Sequence, residues 1–240
     1  MNYLLLIFFG LAPSLIWLLY FLRKDVHPEN NANIVRVFVY GFLAVLPTAI
    51  FQLGIFNFLV KSWPDSLGKT IFMLFLVISL SEEFFKYLVV KNKVLSSSEF
   101  DEPIDLPLYL IISSLGFAAA ENILVLWNQT SAKIFSLALE QGLFLSGLRF
   151  ISATFLHALY SGVLGIFLAL SFFKMKFRKR LLCLGFLLAV GLHGFYNFSI
   201  MTVGGSAKFL IPVLILINLA LVLAFGLRKL KQIKSVCEIN

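Results

Sequence analysis

Apolar and polar positions along this chain segregate over long distances. Long apolar runs are separated by short charged, Pro-rich or polar breaks, and seven runs can be marked at about 2–22, 35–60, 68–90, 106–127, 150–173, 181–202 and 208–227. A helix needs about 20 consecutive apolar residues to cross the hydrocarbon core of a bilayer. A membrane barrel would instead alternate apolar and polar residues along short strands. The pattern predicts an all-α polytopic membrane protein with about seven transmembrane helices, built as a single transmembrane domain over residues 1–240. No internal repeat, low-complexity tract or soluble domain is visible.

Composition agrees with this. The chain of 240 residues is 60% hydrophobic and 13% charged, with a mean hydropathy of +0.95. No soluble fold of that length hides so much apolar surface, so the lipid bilayer is part of its solvent. The net charge of +8 raises nucleic acid as a partner, but the basic residues sit in short clusters beside the apolar runs. Membrane orientation explains them without nucleic acid.

With the N-terminus outside, one side receives Arg23 and Lys24, then Lys91 and Lys93, then the run Lys174, Lys176, Arg178, Lys179 and Arg180, and finally Arg228, Lys229, Lys231 and Lys234. The other side holds little beyond Lys61, Lys69, Lys133 and Lys208. The positive-inside rule then places the C-terminus in the cytoplasm of a multi-pass protein of the cell (plasma or inner) membrane. The first run has basic residues after it rather than before it, the reverse of a signal peptide, and is expected to be a retained helix. Residues 131–148 carry Lys133, Glu140 and Gln141 among apolar residues, with Arg149 just beyond. An extra span there would invert the later basic clusters, so a helix lying on or dipping into the outer face is expected. The segment from Ser96 to Pro103 reads as a polar loop. Cys183 and Cys237 both fall near basic segments, which gives no support to a disulfide framework.

Ionisable side chains inside spans cost several kcal/mol each and are kept for pairing or function. Here they are Glu82, Glu83 and Lys86 in the third run, Glu121 in the fourth, His157 in the fifth and His193 in the sixth. Lys86 lies four residues after Glu82 and three after Glu83, so either carboxylate can pair with it on one helical face. A carboxylate held ionised in this way can take a proton from water; the plainer alternative is a helix end at the interface with Lys86 snorkelling. Phe117-Ala118-Ala119-Ala120-Glu121-Asn122 puts three small residues before a carboxylate, which allows close helix approach. Glu121 can be a metal ligand, an acid or base, or half of an interhelical hydrogen bond. His193 and Asn197 are spaced i, i+4, so an imidazole and a carboxamide share one face and both can donate to an oxyanion. Counted at about 1.5 Å per residue, Glu121, His157, His193 and Asn197 lie in the middle or outer half of the bilayer. Four helices thereby bring a base, electrophilic donors and a desolvated site to one level, which is what a hydrolase requires.

Glu82-Glu83-x-x-Lys86, Phe117-x-x-x-Glu121, the span holding His157, and His193-x-x-x-Asn197 together resemble the PrsW-type intramembrane proteases. These are distantly related to the CAAX prenyl endopeptidases and bacteriocin-immunity membrane proteases. The resemblance covers core spans over residues 70–202. It implies hydrolysis of a peptide bond in a membrane-anchored protein substrate, with first-site cleavage of an anti-sigma factor as the associated role. Carried over by motif, Glu82 is the base, Glu83 and Lys86 support it, and His193 with Asn197 stabilise the oxyanion. Glu121 departs from the CAAX pattern, which has His there, and argues against prenyl-protein processing; the role of His157 stays open.

The residues leave a glutamate-type and a zinc mechanism both standing. Glu82, Glu121, His157 and His193 are candidate Zn²⁺ ligands, yet no His-Glu-x-x-His helix is present. A proton-coupled transporter is the main alternative, since membrane Glu and His chains also relay protons; a non-catalytic scaffold or immunity protein is another. Against transport, no paired halves with matching Pro- and Gly-broken spans are seen.

Overall fold

The computed structural model describes residues 3–24, 29–95, 102–130 and 135–232; it contains helices and, among the described residues, no strand. The helices are α1 (Tyr3–Leu22), α2 (Asn31–Leu43), α3 (Val45–Ile55), α4 (Leu67–Ile71), α5 (Leu80–Lys93), α6 (Asp105–Thr130), α7 (Phe135–Arg149), α8 (Phe155–Phe173), α9 (Arg178–Thr202) and α10 (Ala207–Leu230). Wide π-helical turns occupy Phe56–Val60, Phe72–Ser79 and Phe150–Thr154. Most of the polar loop expected at 96–103, together with Lys133, Lys234 and Cys237, lies outside the described residues.

Among the described residues, six helical stretches are long and apolar enough to cross a membrane: Tyr3–Leu22, Asn31–Val60, Asp105–Thr130, Leu137–Phe173, Met175–Thr202 and Ala207–Leu230. They match six of the seven expected runs, and the chain is an all-α polytopic membrane protein. The remaining run, expected at 68–90, is also helical, through α4, a π segment and α5 from Leu67 to Lys93. It differs in carrying Glu82, Glu83 and Lys86 near its middle, all three turned into the protein and buried.

The segment expected as a separate outer-face helix at 131–148 behaves differently. From Phe135 onward it runs through the π turn at Phe150–Thr154 into α8, so α7 and α8 are one continuous helical rod. Ser146 Oγ donates to the Phe9 carbonyl at 2.8 Å and Trp17 Nε1 to that of Phe150 at 2.8 Å. The rod therefore runs parallel to α1, and its Ser146 and Arg149 are accommodated by hydrogen bonds and an ion pair to neighbouring helices, while Glu140 stays exposed.

α6 is the hub of the bundle. From Asp105 to Ala120 every residue is buried, packed by α8, α2, α1 and α5. A helix buried all round needs close neighbours, and glycine supplies them: a Cβ on Gly41 of α2 would strike the backbone of Ser113, and one on Gly116 of α6 would strike the backbone of Phe38. The outer helices keep apolar faces outward, as along Leu214, Ile217, Leu221 and Phe225 of α10. In water such a surface would be a large apolar patch; in lipid it is the contact surface.

Candidate active site

Polar side chains converge at the centre of the bundle from α5, α6, α8 and α9. Two π turns immediately precede the segments that supply them. The turn at Phe72–Ser79, stabilised by Ser79 Oγ donating to Leu74 O at 2.7 Å, comes just before Glu82 and Glu83. The turn at Phe150–Thr154 comes just before His157. Such wide turns re-aim the following residues and recur at functional sites.

Glu83 and Lys86 form the anchor. Both are fully buried, and Lys86 Nζ donates to Glu83 Oε1 at 2.8 Å. Glu83 Oε1 also meets His193 Nδ1 at 3.1 Å, and Glu83 Oε2 accepts from Ser161 Oγ at 2.9 Å. Three partners on three helices thus fix one carboxylate. The Lys86 ammonium also lies 4.6 Å from the centre of the Phe117 ring and 2.8 Å from His157 Nδ1. Its backbone carbonyl accepts from Ser113 Oγ of α6 at 3.2 Å.

These contacts set the imidazole tautomers. An ammonium can only donate, so His157 Nδ1 accepts from Lys86 and Nε2 carries the proton, which it gives to Glu121 Oε2 at 2.8 Å. His193 Nδ1 faces the acceptor-only Glu83 and so holds its proton there. In neutral His193 this leaves Nε2 with a lone pair, and the atom it approaches, at 3.8 Å, is Glu82 Oε2. The His193 ring is held by stacking on Tyr160, with centroids 5.1 Å apart, and by an edge contact with His157 at 5.2 Å.

Glu82 is the exception among the Glu, His and Lys side chains of the cluster, and the Tyr160 hydroxyl beside them is likewise buried without a partner. Its Oε2 is buried without a hydrogen-bond partner, 3.8 Å from Lys86 Nζ and 3.8 Å from His193 Nε2. Two facing acceptors in a buried site invite something between them that donates or is cationic. Charge points the same way. Three carboxylates, Glu82, Glu83 and Glu121, face two permanent cations, Lys86 and Arg149. One negative charge is left without a partner.

The donor set suits a metal ion. Glu82, His157 and His193 each present a ligand atom, all within 4.8 Å of one another and all buried. Two imidazoles and a carboxylate are a recurring catalytic zinc set. His193 Nε2 and Glu82 Oε2 are free to bind, whereas His157 would exchange its hydrogen bond to Lys86 or to Glu121. Glu121, the fourth expected ligand, is instead the partner of His157.

Glu121 also marks the opening of the site. Its side chain is 27% exposed, as against 0–7% for Glu82, Glu83, Lys86, His157 and His193. Arg149 reaches it with Nη2 at 3.6 Å, and Arg149 Nε donates to Asn122 Oδ1. Asn122 Nδ2 in turn donates to Thr154 Oγ1 at 3.0 Å.

Six of the seven residues expected at the site therefore come together. Asn197, one turn beyond His193, is half-buried and makes no side-chain hydrogen bond to this cluster. Sequence reasoning passed over Ser161, Tyr160 and Arg149. Ser161 was within reach, lying i+4 from His157 on the same face. Arg149 was not, because it falls at the boundary between the expected outer-face helix at 131–148 and the run at 150–173.

Comparison with known proteins fixes what this arrangement belongs to. The profile of the PrsW family intramembrane metalloprotease matches residues 29–225. The chain is 33% identical to a protease PrsW of Oceanobacillus iheyensis over 87% of its length and 88% of the relative's. It is 33% identical to one of Geobacillus kaustophilus, over 80% of this chain and 78% of that protein. It is 28% identical to one of Bacillus subtilis, over 95% and 94%. No solved structure matches. The buried Glu, His and Lys cluster thus sits in a chain that belongs to the PrsW family of intramembrane metalloproteases and is an intramembrane protease.

Proposed function

We propose that this protease hydrolyses a peptide bond of a membrane-anchored protein, with Glu82 as the group that activates water. The observation carrying the reading is the buried, unpartnered Glu82 Oε2 facing His193 Nε2 at 3.8 Å. A water bound there donates to both acceptors. As its oxygen attacks the peptide carbonyl, Glu82 takes a proton and later returns it to the leaving amine. Glu83, held by Lys86, Ser161 and His193, orients the His193 ring and keeps its Nε2 unprotonated for the attack. In this scheme His193 Nε2 accepts from the attacking water, and the oxyanion-donor role expected for His193 from the sequence is not used in this step. Glu121 and His157 line the route by which substrate enters from the more open side. Asn197 needs substrate, or a small rotation of α9, to join them.

A second reading keeps the same residues and adds a metal. The triad of Glu82, His157 and His193 favours it, as does the family description. Zn²⁺ held there would polarise the carbonyl and acidify water at neutral pH. In that case Glu82 binds the ion, and Glu121 is the remaining carboxylate available as a base. The family resemblance suggests a membrane-anchored anti-sigma factor as substrate, and the depth of the polar residues along their helices agrees with a cut near the outer face of the cell membrane.

The test has two arms. Co-expression with single-span substrates should give fragments with the wild type and none with Glu82→Gln; equal processing by the variant would overturn the base assignment. Chelation of the purified protease then separates the mechanisms. Activity lost on chelation and restored by Zn²⁺ supports the metal centre, and full activity in metal-free protein removes it.

A further inference from the structure

A second feature lies across α8 from the active site. Between the C-terminal ends of α1 and α10 is a cavity of about 410 Å³, floored by α6 and α8. Its inner wall is apolar, with Leu108 of α6, Leu159 of α8 and Leu223 of α10. Tyr20 and Ala224, at the edges of α1 and α10, are exposed, so the cavity opens sideways, where the acyl chains of a bilayer would lie. Leu159 follows His157 by two residues, about 200° around the helix, so the cavity and the active site use opposite faces of α8.

The mouth has a different chemistry. Lys24, Arg228 and Lys231 line it, and no acidic side chain does among the described residues. Lys231 Nζ donates to the Lys24 carbonyl at 2.6 Å, which ties the ends of α10 and α1 together over the cavity and holds the cations close. The Lys24 ammonium lies 5.2 Å from the Tyr20 ring centre, turned along the cavity rim. Three cations above an apolar slot match an anionic headgroup above an acyl chain. Basic pockets between membrane helices on the cytoplasmic side recognise anionic lipids in this way, and the volume is in the range of small-ligand sites.

We propose that this cleft is a binding site for an anionic glycerophospholipid of the membrane, with its phosphate on Lys24, Arg228 and Lys231 and one acyl chain between α1, α8 and α10. The lipid fills the gap between two outer helices that otherwise meet only at their ends, and it buttresses the face of α8 opposite His157. Neutral phospholipid lacks the net negative charge the mouth selects, and free phosphate lacks the chain.

The test is thermal unfolding of the purified full chain in detergent micelles with phosphatidylglycerol, phosphatidylcholine or inorganic phosphate added. Phosphatidylglycerol is expected to raise Tm by about 5 °C at saturation, with little change from the other two. The double substitution Lys24→Gln and Arg228→Gln should abolish the gain by removing headgroup contacts. Ala224→Trp should abolish it by filling the slot while leaving every cation in place. Neither touches the catalytic cluster, so unchanged substrate cleavage serves as the check on folding. An equal rise with phosphatidylcholine, an equal rise with phosphate alone, or a full phosphatidylglycerol effect in both variants would each overturn the proposal.

Discussion

At the scale of single residues, buried charges in this protein are held by partners on their own helix and on neighbouring ones, and their order of importance follows from how many partners each would orphan. Lys86 serves Glu83, Glu82 and His157 at once. Lys86→Met leaves two buried carboxylates without their cation, and removing one member of a buried pair costs about 3–5 kcal/mol. Thermal unfolding in detergent should show a large fall in Tm, with cleavage lost as well. Ser161→Ala removes one hydrogen bond to a carboxylate that keeps two others, a loss of about 1.5–3 kcal/mol at most for a bond to a charged group. It should give a folded protease of reduced activity, and an inactive, unfolded product would contradict the anchoring scheme. The two glutamates of the pair illustrate what the sequence could and could not say. Adjacent helix positions differ by about 100°, so both could not play the same part. Which one is satisfied and which is left open depends on Ser161 and His193, residues far away along the chain.

At the scale of elements, two features decide whether the site assembles. The first is the close crossing of α2 and α6, where Gly41 and Gly116 leave room only for backbone. Gly116→Ala should destabilise by about 1–3 kcal/mol or more, since overpacking here meets main chain that cannot rotate away. Lower yield of folded protein and a reduced Tm are the expected readouts. The second is the rod of α7 and α8. Arg149, near its middle, braces Glu121 and Asn122 at the mouth of the site. Arg149→Gln keeps a hydrogen-bonding group but loses the charge, and should lower cleavage by about tenfold, equivalent to about 1.4 kcal/mol, while Tm changes little. Helix positions and lengths were readable from apolar runs because lipid demands them. The exception was 131–148, where Glu140, Gln141 and Arg149 looked like interface residues. In the bundle Arg149 is used inside, paired with Glu121 and Asn122, and neighbouring Ser146 bonds to α1. A one-dimensional pattern shows that a residue is polar, and the partner that makes its burial tolerable comes from the other helices.

At the scale of the whole molecule, the bundle is an outer wall of lipid-facing helices around α6, with the proposed catalytic groups gathered on one side of α8 and a cation-capped cleft on the other. The arrangement concentrates three carboxylates where only two permanent cations answer them, and the unanswered charge falls on Glu82. The account rests on that residue. The most direct test is reconstitution of the purified protease in proteoliposomes with a single-span substrate, comparing wild type with Glu82→Gln by mass spectrometry of the fragments. The account predicts one defined cut with the wild type and a rate at least about 10²-fold lower for the variant, with both proteins unfolding at closely similar temperatures. A folded Glu82→Gln protein that makes the same cut at the wild-type rate would contradict it.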